Sequence, residues 1–226
     1  TPGVASGLAW TSSGVGTVQL VECCSIKSSR QGGEWGNAFG RLTLTGQLGE
    51  VLEESAQIAL TWVRSMCSQF ESMKRIPFYE EAMYSDIHVH LPAGSVPKDG
   101  PSAGVTIVVA LTSLFFGTHC RADTAMTGEI SLTGNVLAVG GVAEKVRAAQ
   151  KIGISRVIVP AENQGEARKA LRNTTSSSAS RNNLTKVEII PVRSVDEAIE
   201  AAIVGGNPWT SFADQSARIS PAVAKL

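Results

Sequence analysis

Ser102 stands in the segment Lys98-Asp99-Gly100-Pro101-Ser102-Ala103-Gly104. That order of residue types has a chemical reading. Gly100 permits backbone angles that other residues avoid, and Pro101 suits the first turn of a helix because it has no N–H to lose there. Ser102 is thereby expected at a helix N-terminus, where N–H groups without intrahelical partners favour negative charge. A nucleophilic hydroxyl needs such donors beside it to hold an oxyanion. Ala103 and Gly104 leave room for a substrate backbone. A serine that merely caps its helix would produce the same segment.

A hydroxyl nucleophile requires a base, and the chain offers two sets. Val142, Ala149 and Ile152 form an apolar stripe at helical spacing, and Lys145 falls inside it, with Glu144, Arg147 and Lys151 on the other side. Burial disfavours the ammonium form, lowers the pKa and frees a neutral amine to act as a base near neutral pH. A lysine that snorkels along the edge of the stripe would remain an ordinary cation. The second set is His88 and His90, which share one face of a strand with Asp86. They permit a Ser-His-Asp triad or a two-histidine metal site. No neighbouring residues complete a metal spacing, however, and the histidines read best as structural groups that order the loop before Ser102. Neither G-x-x-x-x-G-K-[ST] nor G-x-G-x-x-G occurs, so no nucleotide site is predicted.

These residues must be positioned by strands and helices that the periodicity marks out. Val18–Cys23 and Arg41–Thr45 read as strands, with the Gly-rich loop Gln31–Gly40 between them. Leu52, Ala56, Ala59, Leu60, Val63 and Cys67 fall at helical spacing and predict a long amphipathic helix over Glu50–Phe70. Ile87, Val89 and Leu91 alternate with the histidines as a strand. A loop follows over Pro92–Pro101, then a helix from Ser102 to Phe116. Thr124–Leu132 and Asn135–Val139 are expected to pair as strands around a turn at Thr133-Gly134. A helix over Val142–Ile152 ends at Gly153. Next come a strand over Arg156–Val159, a helix over Asn163–Arg172 and a polar insert over Asn173–Asn183. A strand over Val187–Ile190 and a helix over Val195–Val204, capped by Ser194, complete the set. The stretch Thr1–Gly16, rich in Gly, Ser and Thr and lacking a starting Met, reads as a fragment boundary. Mixed strands and helices without regular alternation predict a single α+β domain over residues 1–206, followed by a flexible polar tail over 207–226.

Composition narrows the function classes. The chain has 226 residues, enough for one domain with a sizeable core, and 20 basic residues balance 20 acidic ones. A neutral surface argues against a dedicated nucleic-acid or anionic-membrane binder. Hydrophobic residues at 43% exclude a mostly disordered chain. No apolar run reaches the roughly 18 residues that span a bilayer. The four cysteines form no C-x-x-C, so neither a zinc knuckle nor a disulfide framework is predicted, and free thiols point to a reducing compartment. The sequons at Asn173 and Asn183 point instead to secretion, but they lie in a polar stretch where Asn and Thr are common, with no signal peptide ahead.

Taken in order along the chain, the motifs resemble the proteolytic domain of the Lon family of ATP-dependent proteases. The matching segments are Pro2-Gly3-Val4-Ala5-Ser6-Gly7-Leu8-Ala9-Trp10, Thr45-Gly46-Gln47-Leu48-Gly49-Glu50-Val51 and His88-Val89-His90. They continue with Pro97 through Gly104, Met126-Thr127-Gly128-Glu129-Ile130, and Gly140-Gly141-Val142-Ala143-Glu144-Lys145. The resemblance covers most of the chain and decides between the alternatives left open above. It implies that Ser102 is the nucleophile and Lys145 the general base of a Ser-Lys dyad, that the Thr127 hydroxyl orients the lysine, and that N–H groups around Ser102 hold the oxyanion. Gly100, Pro101 and Ala103 support this arrangement, and Asp99 shapes the site rather than facing the oxyanion. The implied fold is α+β, of the ribosomal-protein-S5 domain-2-like type.

The same resemblance implies a serine endopeptidase that degrades unfolded or damaged proteins and assembles as a homohexamer. ATP and Mg²⁺ would act in the family's separate ATPase part, so this chain is expected to hold no cofactor and no metal. The Asn173–Asn183 insert looks longer than the family's usual loop. The final Ala224-Lys225-Leu226 resembles a peroxisomal address read by an import receptor, so the peroxisome matrix is the expected location, with the mitochondrial matrix as alternative. Two other readings remain to be set against the protease: a Ser-His hydrolase using His88 or His90, and a non-catalytic module that binds unfolded chains.

Overall fold

A computed structural model describes residues 1–10, 14–26, 39–70, 79–92, 98–175 and 185–210. Most of the expected Gly-rich loop, the insert beyond residue 175 and the tail beyond residue 210 lie outside them. The chain runs β1 (Val4–Trp10), β2 (Gly16–Ile26), β3 (Leu42–Thr45), α1 (Glu50–Phe70), α2 (Tyr79–Tyr84) and β4 (Asp86–His90). It continues through α3 (Gly104–Phe116), β5 (Thr124–Met126), β6 (Glu129–Ile130), β7 (Val136–Leu137) and α4 (Val142–Lys151). The last elements are β8 (Arg156–Pro160), α5 (Gln164–Thr175), β9 (Glu188–Val192) and α6 (Val195–Ala202).

Seven strands form one mixed sheet in the order β3-β4-β2-β1-β5-β8-β9. β2 pairs antiparallel with both β1 and β4, while the β3–β4, β1–β5, β5–β8 and β8–β9 pairs are parallel. β6 and β7 form a separate two-stranded ribbon. Helices cover both faces. One core joins the sheet to α1, α3 and α6 through Ala59, Val63, Ile107, Leu111 and Ile199. The other joins it to α4 and α5 through Leu8, Val142, Val146, Ala149 and Ala167. The result is a single α+β domain in three layers. Among the described residues no helix is long and apolar enough to cross a membrane.

The strongest periodicities are realised. All six stripe residues of α1, from Leu52 to Cys67, are buried, as are Ile87, Val89 and Leu91 around the half-buried histidines of β4. α3 is apolar on every side because it lies between the β1–β2 pair, α1 and α6. All four cysteines carry free thiols.

Four expectations need correction. The N-terminal stretch is no mere boundary: Val4–Trp10 is a central strand, paired with β2 from Val4–Glu22 to Trp10–Gly16. Its small residues suit a position with helices packed on both faces, and pairing overrides their modest strand propensity. Thr124–Leu132 is not one strand. β5 ends at Met126, and the chain turns at Thr127-Gly128, where the Gly128 N–H leaves the sheet to bond the Ser102 carbonyl at 2.9 Å. Ile152 is not in the α4 stripe but 62% exposed, because the helix ends at Lys151. Packing also continues past Gly206: Trp209 is buried edge-on against Phe116, ring centroids 4.7 Å apart.

Candidate active site

Ser102 lies in a single turn of 3-10 helix, Pro101–Ala103, set directly before α3 rather than inside it. Gly100 enters that turn at φ 115°, a region that favours glycine. Pro101 contributes no N–H, and the N–H of Ser102 is among those that a helix start leaves without intrahelical partners. Among the described residues no hydrogen bond ties down the Ser102 hydroxyl, so its oxygen is available.

The segment before Ser102 is anchored to the start of α1. Gly49 N–H donates to the Lys98 carbonyl at 2.7 Å, and Lys98 N–H to the Gln47 carbonyl at 3.0 Å. Asp99 Oδ1 accepts from Leu52 N–H at 3.2 Å and from Gly100 N–H at 2.8 Å. Its carboxylate is therefore spent on the first turn of α1, where negative charge is favoured, and on the entry to the serine turn.

Lys145 comes from the opposite layer. α4 approaches β2 so closely that a Cβ on Gly16 would lie 2.2 Å from the Glu144 carbonyl oxygen, and only glycine allows that contact. Val142, Val146 and Ala149 hold the helix against the sheet, and Lys145 between them is only 2% exposed. The snorkelling alternative is thus excluded. Burial pulls the Lys145 pKa down from 10.5 to about 8, against a smaller opposing pull from the Glu166 carboxylate.

The two layers meet at the C-terminal end of β5. Thr127, fully buried, accepts from Lys145 Nζ at 3.0 Å and donates from the same hydroxyl to the Ser102 carbonyl at 3.3 Å. One side chain thus links the amine to the backbone of the serine. Ser102 and Lys145 both line a cavity of about 1000 Å³, together with Asp99, Gly100, Pro101 and Ala103. Leu8, Trp10, Leu52 and Leu91 give it apolar walls. A hydroxyl, a depressed-pKa amine and a helix start thus converge on one cleft, as acyl transfer requires.

His88 and His90 are not brought to this cleft. Both ring nitrogens facing β3 bond the Thr45 hydroxyl, at 2.9 and 2.7 Å, so the pair ties β3 to β4. Asp86 Oδ1 accepts from Arg41 N–H at 2.7 Å and serves no histidine there. Among the described residues no group of three or more His, Cys, Asp and Glu could hold a metal ion. The residue reading missed Trp10, whose strand went unrecognised, and the contribution of Asn163, which holds Val139 from the turn after β8, and of Glu166, which reaches α4 from α5.

The chain matches the family model of the Lon protease (S16) C-terminal proteolytic domain over residues 1–205. It is 45% identical over 207 residues to "Lon protease homolog 2, peroxisomal" of Arabidopsis thaliana, covering 92% of this chain and 21% of that protein. It is 44% identical over 207 residues to the protein of the same name in Mus musculus, covering 92% and 22%. Identity is 49% over 210 residues to that of Spinacia oleracea, covering 92% and 21%. The chain spans about a fifth of the length of the curated relatives it matches.

Proposed function

The chain belongs to the Lon protease C-terminal proteolytic domain family, and from that premise we propose that it is a serine endopeptidase in which Ser102 is the nucleophile and Lys145 the general base. The observation that carries this reading is a buried amine, held by Thr127, lining the same apolar cleft as an untied serine hydroxyl. Neutral Lys145 takes the Ser102 proton as the hydroxyl oxygen attacks a peptide carbonyl. The oxyanion is held by N–H groups at the serine turn, each such donor being worth roughly 3 kcal/mol of barrier. Lys145, now an ammonium, protonates the leaving amine and regains its neutral form. It then deprotonates a water that attacks the acyl-enzyme, and it returns that proton to Ser102 Oγ as the ester breaks. The steps use protein groups and water alone.

Substrates are proposed to be unfolded or damaged proteins, threaded as extended chain into the cleft. Assembly as a homohexamer is proposed on the family resemblance. A peroxisomal location is proposed because the relatives bear that name; they lend no support to the mitochondrial alternative. No histidine is among the residues lining the cleft, which removes the geometric basis for a Ser-His hydrolase.

The direct test is mass spectrometry after exposure to a fluorophosphonate. Ser102 is expected to be modified, at a rate that rises as pH passes about 8, because the amine must lose its proton to act. Modification at other serines only, or a rate flat from pH 6 to 10 (roughly two units either side of that midpoint), would remove the proposal.

Thr127→Val keeps the buried shape but deletes the hydroxyl that meets both Lys145 and Ser102. The expected result is a fall in kcat of roughly 10²-fold or more with KM little changed, since the lost contacts place reacting groups rather than hold substrate. Stability should drop by about 1–2 kcal/mol in urea titration, for the buried Lys145 amine left without its partner; the Ser102 carbonyl keeps the Gly128 N–H.

A further inference from the structure

Asn163 and Glu166 touch none of the reacting atoms, yet their side chains hold the chain on both sides of a glycine pair that leads to Lys145. Asn163 is buried in the turn after β8. Its Oδ1 accepts from Val139 N–H at 2.9 Å and its Nδ2 donates to the Val139 carbonyl at 3.1 Å. One amide thus satisfies both backbone groups of a single residue, as a strand partner would. Val139 and Gly140 line the cleft. Four residues after Val139, the Ala143 N–H donates to Glu166 Oε1 at 3.1 Å. The residue before α4 is Gly141, which has no side chain to cap the helix, so the acceptor comes from α5 instead. Asn163 Nδ2 also lies 3.4 Å from Glu166 Oε2, joining the two holds.

We propose that Asn163 and Glu166 are positioning residues of this site, a clamp that fixes residues 139–143 and with them the cleft wall and the first turn of the helix carrying Lys145. The clamp reading rests on Ser102 and Lys145 being the reacting pair. Gly140 and Gly141 lie between the two holds and would otherwise be the loosest links in that wall.

Glu166 adds a second effect, because its charge is the one that registers on Lys145. The other charged groups on elements packed against α4 are Arg168, Lys169 and Arg172 of α5, Glu22 of β2 and Arg156 of β8; β1 has none. α4 itself carries Glu144, Arg147 and Lys151, and Lys98 and Asp99 line the same cleft. Glu166 is exposed, so its pull is moderate and screened by salt.

The test is a 13C NMR titration of the Lys145 ε-carbon in the 226-residue chain, with the signal assigned by its loss in Lys145→Met, alongside fluorophosphonate labelling of Ser102. Glu166→Gln keeps an oxygen for Ala143 N–H and removes the charge, so the Lys145 midpoint should fall by roughly half a unit, less in molar salt. Asn163→Asp keeps an oxygen for Val139 N–H and adds a charge, so the midpoint should rise by a similar amount. Asn163→Ala should leave the midpoint in place while the limiting labelling rate at high pH drops roughly tenfold to a hundredfold. The clamp is overturned if that limiting rate equals the wild-type value, or if the two charge variants shift the midpoint in the same direction or not at all. Should Asn163→Asp fail to fold, Glu166→Gln alone decides the electrostatic arm. If Ser102 of the unaltered protein takes no label, the peptidase reading itself fails; if it labels normally while the variants match it in midpoint and limiting rate, the clamp alone is overturned.

Discussion

Lys145→Met is expected to abolish fluorophosphonate labelling of Ser102 and peptide cleavage while making the folded chain more stable at neutral pH. Both halves follow from one burial. The side chain is 2% exposed and its pKa falls from 10.5 to about 8. That difference corresponds to a cost of about 3 kcal/mol, carried in full below pH 8. The sign is set by proton counts. Between the two values the unfolded chain holds a proton that the folded chain has released, so stability rises with pH there, and the cost is relieved near 10.5. Methionine matches the length of the buried stem without a charge to desolvate. The lost hydrogen bond to Thr127 returns about 1 kcal/mol, leaving a net gain of about 1–2 kcal/mol at pH 7 that shrinks as pH approaches 10. Lys145→Arg makes the contrast. It too should be inactive, since a guanidinium cannot give up its proton to act as a base, but it should lose stability, because a larger permanent cation must fit the same space. Urea titrations at pH 7 and 10 check the prediction. A methionine variant that still labels Ser102 would show that the buried amine is not the base, and one less stable than wild type at pH 7 would show that its burial carries no such cost.

What the sequence made legible was whatever a local period or a short motif encodes. The α1 stripe from Leu52 to Cys67, the alternation about His88 and His90, and the apolar neighbours of Lys145 each follow from one element meeting one core. What stayed hidden depends on partners far along the chain. Val4–Trp10 has too many small residues to announce a strand, and it is one because β2 and β5 flank it. Thr127 sits in a run of strand-forming residues that conceals the break after Met126, so its part in the site came from the family resemblance and not from its own pattern. The Asn163 hold on Val139 spans 24 positions and leaves no periodic trace. The Ser102 segment reads as a helix start in outline, while the 3-10 turn ahead of α3, closed by Gly104 N–H on the Pro101 carbonyl and held by Gly128 N–H on the Ser102 carbonyl, has no pattern of its own. The chemistry-bearing residues were therefore more legible than the contacts that aim them.

Ser102→Ala is expected to remove cleavage and labelling altogether while leaving the fold and the binding of unfolded protein intact. The deleted oxygen has no hydrogen-bond partner among the described residues, and the turn is held by backbone contacts that alanine preserves: Gly128 N–H and the Thr127 hydroxyl both meet the residue-102 carbonyl. Stability should therefore change by less than about 0.5 kcal/mol. Without the nucleophile, kcat should fall by a factor on the order of 10⁶, because the remaining groups cannot form an acyl-enzyme. The cleft walls from Leu8, Trp10, Leu52 and Leu91 are untouched, so the Kd for an unfolded substrate such as casein should stay within about twofold, apolar burial being set by those walls. This combination separates the protease from the binding-only module. A module that merely holds unfolded chains would give identical behaviour before and after the change, with neither protein cutting casein and neither taking the probe. A protease gives two proteins that bind alike and differ wholly in turnover. Cleavage at the same peptide bonds by the alanine variant would show that the hydroxyl at this turn does not attack, and the burial of Lys145 would then require another explanation.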